Sequence, residues 1–237
     1  MQKIQLGDIS VEVTLKDIKN VHLSVLPPLG QVKIAAPSRM DLDTIRIYAI
    51  SKLSWIKRQQ AKIKGQQREA PREYITRESH YYQGKRYLLK VIETETTPHV
   101  ILKQNNLVLY IKPNTEKDKR KEILNKWYRA QLKETVPKYI AKWEPIIGVS
   151  VLDFDIRKMK TKWGTCDIES QRIRLNLELA RKPLPCLEYI VVHEMIHLLE
   201  RNHNKRFISL MDKFLPNWKE LREELNWLPV SHRDWNY

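Results

Sequence analysis

The feature that most constrains this chain is the stretch from residue 189 to 207, Tyr-Ile-Val-Val-His-Glu-Met-Ile-His-Leu-Leu-Glu-Arg-Asn-His-Asn-Lys-Arg-Phe. Leu187, Ile190, Val191, Val192, Met195, Ile196, Leu198 and Leu199 leave almost no polar face, so the spacing predicts a buried helix. Two imidazoles and a carboxylate inside it are costly unless each has a partner. His193 and His197 are four apart and stand on one helix face. Two such nitrogens can grip one Zn²⁺ ion, and Glu194 can then take a proton from a water beside it. This is the His-Glu-x-x-His pattern of zinc hydrolases, which keep three protein ligands and one open position.

His203 is the favoured third ligand. It lies six residues beyond His197, so a helix that simply continued would point it to the wrong side. The helix is therefore expected to end near Arg201, with Asn202 as a left-handed terminal residue that turns the chain back. Metzincins share the overall spacing but carry Gly where this chain has Glu200. A carboxylate from a later helix, Glu220, Glu223 or Glu224, is the alternative third ligand.

Charge and composition bound the rest. With 237 residues the chain can bury a full core, and no stretch approaches the length of a membrane helix. The N-terminal residues lack the apolar segment of a signal peptide, and the two cysteines, Cys166 and Cys186, form no Cys-x-x-Cys pair. The expected location is the cytoplasm. A net charge of +15 fits either a solvated basic surface or non-specific attraction to nucleic acid. Lys52, Lys57, Arg58, Lys62, Lys64 and Arg68 form one basic cluster, and Lys158, Lys160 and Lys162 a second.

In chain order, residues 2–36 alternate as strands, with Gly7-Asp8 at a hairpin and a turn from Pro27 to Gly30. A small antiparallel sheet is expected, then a helix from Asp41 to about Lys64. Residues 65–73, including Pro71, read as a linker. Strands follow at 74–76, 81–83, 86–92, 100–103 and 107–111. No internal repeat is evident. A long amphipathic helix is expected from 116 to 147, kinked or divided by Pro137 and ended by Gly148. Alternation then marks strands around Val151–Ile156 and Arg172–Leu177, the latter a candidate sheet edge on which an extended peptide would pair. Trp163 reads as a packing residue and Cys166 as a small apolar one.

The predicted fold is α+β: an antiparallel β-rich region with a helix over residues 1–115, then a minimal zincin-like domain over 116–237. The most direct function is zinc-dependent hydrolysis of a peptide or protein, with Glu194 as general base. The alternative is a nucleic-acid-associated binding module that keeps a zinc site. The residues that would steady the oxyanion are not singled out; His232, Tyr189, Tyr237 and nearby Lys or Arg residues are the candidates.

One family shares these blocks. The run Arg157-Lys158-Met159-Lys160-Thr161-Lys162-Trp163-Gly164-Thr165-Cys166, then Ile173-Arg174-Leu175-Asn176, the helix at 189–197, and His203 followed by Phe207 resemble the YgjP-like metallopeptidases, distant relatives of the SprT-like proteases. The likeness is strongest over about residues 120–215. It implies a zinc peptidase with His193, His197 and His203 as ligands and Glu194 as the catalytic residue. The SprT relatives act on DNA-bound proteins. Asn204 departs from the pattern, where Ser is expected.

Overall fold

The computed structural model describes residues 2–26, 29–65, 72–159 and 162–227, and of residues 62, 64 and 65 only the backbone. Pro27, residues 66–71, Lys160, His232, Trp235 and Tyr237, which figure in the sequence reading, lie outside the described residues. The chain forms two compact units, and residues 65 and 72 belong to different ones.

In the first unit, β1 (Gln2–Leu6) and β2 (Ile9–Lys16) form the expected hairpin, with Leu6 paired to Ile9 across Gly7-Asp8. Gly7 has φ +60, which suits a residue without Cβ. β3 (His22–Leu26) and β4 (Gln31–Pro37) complete a sheet of order β1-β2-β4-β3. The sheet is mixed and not wholly antiparallel, because β2 and β4 run parallel. The chain leaves β2, lays down β3 one strand position further out, and turns back to fill the gap with β4. Burial selects this order: Val32, Ile34 and Ala36 of β4 are at most 1% exposed, whereas β3 is only half-buried and takes the edge.

The helix expected over 41–64 is two helices, α1 (Leu42–Ser51) and α2 (Leu53–Gly65). Asp41 caps α1 by accepting a hydrogen bond from the Thr44 N–H at 2.8 Å. The break falls at Lys52. Its N–H closes a tight turn on the Ala49 carbonyl, and the Ser51 hydroxyl donates back to the Tyr48 carbonyl at 2.7 Å. Ile45, Ala49 and Ile56 cover the apolar face of the sheet, while Lys57 and Arg58 are exposed.

The second unit opens on β5 (Ser79–Tyr82), β6 (Lys85–Glu93), β7 (His99–Lys103) and β8 (Asn106–Ile111). Their order is β5-β6-β8-β7, with β6 and β8 parallel and the outer pairs antiparallel. This repeats the first sheet strand for strand, a repeat that does not show as residue identity. The expected strand at 74–76 is a turn. Both the Glu73 and Tyr74 N–H groups donate to Glu78 Oε2 at 2.7 Å, and Tyr74 and Arg77 take positive φ.

α3 (Lys117–Ile147) packs in the same core as this sheet. Leu124, Tyr128, Leu132, Val136, Ile140, Trp143 and Ile147 form one buried stripe that runs past Pro137, and the helix is not divided there. Gly148, at φ 78, ends it with its N–H on the Glu144 carbonyl.

β9 (Asp153–Arg157), β10 (Gly164–Asp167) and β11 (Arg172–Asn176) then form a sheet of order β10-β11-β9. The candidate edge at Arg172–Leu177 is therefore the central strand, with Ile173 and Leu175 fully buried, and β10 lies at the edge. A 3-10 turn (Leu177–Arg181) leads into α4 (Leu184–Ile196), α5 (Lys205–Phe214) and α6 (Trp218–Trp227). No helix among the described residues is long and apolar enough to cross a membrane.

His80 of β5 is fully buried against Tyr74, with ring centroids 5.8 Å apart. Glu78 Oε1 lies 2.9 Å from its Nε2, but without hydrogen-bond alignment. Burial, reinforced by the Arg72 and Arg181 guanidinium groups, pushes the His80 pKa down to about 2. The unfolded chain takes up this proton below about pH 6.5 and the folded chain does not. Stability from this site is thus complete above that pH and lost as pH falls. In metal-free protein, urea denaturation should show the wild type losing about 1.4 kcal/mol more than His80→Phe between about pH 7.5 and about pH 5.5. Equal losses in the two proteins would exclude His80 as the source.

Candidate metal centre

α4 is apolar nearly throughout: Cys186, Leu187, Tyr189, Ile190, Val191, Val192, Met195 and Ile196 are all buried. That burial takes Glu194 into the core and holds His193 and His197, both half-buried, one turn apart at its margin. The helix ends at Ile196, with His197 as its cap residue, earlier than the expected end at Arg201. Leu198 and Leu199 continue in tightened turns onto the Met195 and Ile196 carbonyls. Asn202 is not left-handed. It is held instead by its N–H on Glu200 Oε1 at 3.3 Å, and its carbonyl accepts from the Asn204 N–H at 2.8 Å. The return of the chain is thus made by several small turns and not by one left-handed residue.

This return brings His203 to His193. Their Nε2 atoms face each other at 3.0 Å, and one ring nitrogen from each of His193, His197 and His203 lies within 4.8 Å of the others. His197 Nδ1 lies 3.0 Å from the Glu200 carbonyl oxygen. A carbonyl only accepts, so Nδ1 carries the proton and Nε2 keeps its lone pair. Burial, with the neighbouring imidazoles and Arg222, pushes the His193 pKa down to about 3, and burial lowers that of His197 as well. Both rings are therefore neutral near neutral pH, the form that binds metal.

The residues fit a zinc ion. Two Zn–N bonds of about 2.0–2.1 Å at the tetrahedral angle separate their nitrogens by roughly 3.3 Å. The His193–His203 pair, at 3.0 Å, needs only a small opening, and the wider spacing in the triad, up to 4.8 Å, needs to close. No carboxylate among the described residues joins the three imidazoles. Of the alternative ligands, Glu224 faces the far end of α4, with Oε2 3.7 Å from Cys186 Sγ.

Glu194 is 4% exposed and packs against the start of β10. Burial raises its pKa to about 8, against the pull of the Lys162 ammonium. Its carboxylate lies against Gly164, where a Cβ would stand 2.4 Å from Oε1. A glycine inside a strand marks a close approach, a signal the sequence carries but does not assign to a partner. Asn176, 1% exposed at the end of β11, holds the segment before Gly164. Its amide donates to the Met159 carbonyl at 3.0 Å and to the Lys162 carbonyl at 2.8 Å. Gly164 and Asn176 were part of the motif blocks, but their roles follow only from contacts.

Cys166 is half-buried beside Glu194, and burial with that carboxylate pushes its thiol up to about 12. It stays protonated, in keeping with a small apolar residue. Trp163 packs against the core, with the Lys182 ammonium 5.7 Å from its ring. Among the oxyanion candidates, Tyr189 is 4% exposed and meets the His193 ring edge-on at 5.9 Å.

The profile of a family described as YgjP-like, metallopeptidase domain, matches residues 19–227. Among solved structures, the metallopeptidase zymogen abylysin of Pyrococcus abyssi is 21% identical, covering 38% of this chain and 90% of its own, with a TM-score of 0.36. The zymogen jannalysin of Methanocaldococcus jannaschii is 19% identical, covering 38% of this chain and 92% of its own, with a TM-score of 0.34. No curated protein matches the chain.

Proposed function

The chain belongs to the YgjP-like metallopeptidase family, and we propose that His193, His197 and His203 hold its zinc ion while Glu194 acts as general base in peptide hydrolysis. The observation that carries this reading is the convergence of three imidazole nitrogens within 4.8 Å, with the buried Glu194 directly following His193 on the same helix. Zinc bound there supplies Lewis acidity, which activates water near neutral pH and polarises a peptide carbonyl.

The chain's own residues do the rest. The Glu200 carbonyl keeps the His197 lone pair on Nε2. Glu194 takes the proton of the attacking water and passes it to the leaving amine. Its raised pKa, about 8, makes it a stronger base than an exposed carboxylate, and the positive charge of a bound ion would draw that value back towards neutrality. β10 has one strand neighbour among the described residues, and its free side starts at Gly164, next to Glu194. An extended substrate pairing with that edge would bring its peptide bonds along the catalytic carboxylate.

The test is zinc content and casein cleavage, measured together on protein purified without chelator. The wild type should hold about one zinc per chain, the ratio expected of a single three-ligand catalytic site, and cleave casein. His203→Ala should lose more than about 100-fold in zinc affinity, beyond the 10- to 100-fold that loss of an outer-shell partner costs. A variant that binds zinc like the wild type would remove His203 from the ligand set. A wild type that binds none would sink the whole reading.

A further inference from the structure

Phe207 takes no part in the chemistry above, yet it touches every proposed ligand. Its ring centroid is 4.9 Å from that of His193, 4.8 Å from His197 and 4.7 Å from His203. It meets His193 and His203 edge-on and lies tilted against His197. The imidazole centroids are themselves 4.8–4.9 Å apart, so the four rings form a closed cluster in which each borders the other three. Phe207 is 2% exposed and cannot coordinate a metal. It occupies one side of the triad.

The start of α5 determines where this ring sits. Asn204 is the N-cap, and its Oδ1 accepts from the Phe207 N–H at 3.0 Å. His203 is the residue just before the cap, and Phe207 the third residue of the helix. One capping hydrogen bond therefore fixes the ligand and the ring beneath it together, much as an apolar staple fixes the entry of a helix. This matters most for His203, which is exposed and whose ring meets that of His193 through a 3.0 Å hydrogen bond. The departure at Asn204 is explained in the same way, since Asn and Ser cap helices about equally well.

We propose that Phe207 is the positioning residue of the metal centre, an apolar seat that orients the three imidazoles before the ion arrives, with Asn204 holding seat and third ligand in register. The proposal rests on the reading of the three histidines as ligands. An imidazole already in place loses less freedom on binding, so the seat acts on affinity and coordination geometry.

The experiment is a zinc titration against a chromophoric chelator, with the visible spectrum of the cobalt-loaded protein as a geometric readout. Phe207→Leu keeps the core filled but removes the flat ring. It should lose about 10- to 100-fold in zinc affinity and shift the cobalt bands, while metal-free protein still melts cooperatively. Asn204→Ala should weaken zinc binding in the same direction, and Asn204→Ser should restore it, a rescue that a merely space-filling role would not produce. If Phe207→Leu does not fold, the Asn204 pair decides. Wild-type affinity and an unchanged cobalt spectrum in Phe207→Leu, or in Asn204→Ala where Phe207→Leu does not fold, would overturn the proposal. His203→Ala separates the two readings. If it binds weakly while the Phe207 and Asn204 variants bind normally, only the seat fails. If it too binds normally, the ligand assignment fails first.

Discussion

Glu194→Gln is expected to lower casein cleavage by about 10²–10⁴-fold, the usual contribution of a general base, while the chain keeps its zinc. The amide has the shape of the carboxylate and fills the same space against Gly164, so the fold is not asked to change. What it lacks is a site that accepts a proton. The metal-free variant should also be no less stable than the wild type near pH 7. Burial raises the Glu194 pKa to about 8, so ionising this group opposes folding above the ordinary carboxylate range, and the amide removes that opposition. Zinc content by atomic absorption, cleavage rate and the melting temperature of the metal-free form check the three parts. Undiminished cleavage would exclude Glu194 as the base.

The second large effect is expected at Gly164. An alanine there would place its Cβ 2.4 Å from Glu194 Oε1, 2.7 Å from Cγ and 2.8 Å from Cδ. All three are shorter than real carbon contacts, so either the carboxylate or β10 must move. A displacement near 1 Å at a reacting group can cost about 100-fold in rate, and overpacking costs about 1–3 kcal/mol in stability. The histidines are untouched, so Gly164→Ala should retain zinc and lose kcat. The origin of the effect is tested by repeating the substitution in Glu194→Ala, which has no atoms at the point of conflict. There the added stability cost should fall below about 0.5 kcal/mol, measured by urea denaturation. Equal costs in both backgrounds would show that Gly164 is needed by the strand and not by the carboxylate.

The part of the site that could be read from the sequence is the part made by neighbours along the chain. His193, His197 and His203 lie on one helix and the turn after it, and helical spacing alone brings the first two together. The strands were legible for the same reason, since alternation is local. Tyr74 shows the limit, because a single carboxylate, Glu78, converts its segment from strand to turn. What the sequence could not show depends on contacts between distant segments. Nothing in Gly164 names Glu194 as its neighbour, and nothing in Asn176 names the two carbonyls it joins. Strand order failed likewise: β11 alternates like an edge strand, yet it is central because β9 and β10 flank it on both sides. Residue type suggests a left-handed turn at Asn202, whereas the chain reverses through tightened turns that any residue could make.

The hydrogen bond from His197 Nδ1 runs to the main chain of Glu200 and not to its side chain. Orientation of that imidazole is consequently insulated from drift in residue identity. Position 200 can change its side chain without losing this acceptor, since every amino acid brings the same carbonyl. What cannot drift is the count of residues between 197 and 203. One insertion or deletion there would move the acceptor and the third imidazole at once. This hydrogen bond therefore constrains the length of the loop and not the residue at position 200.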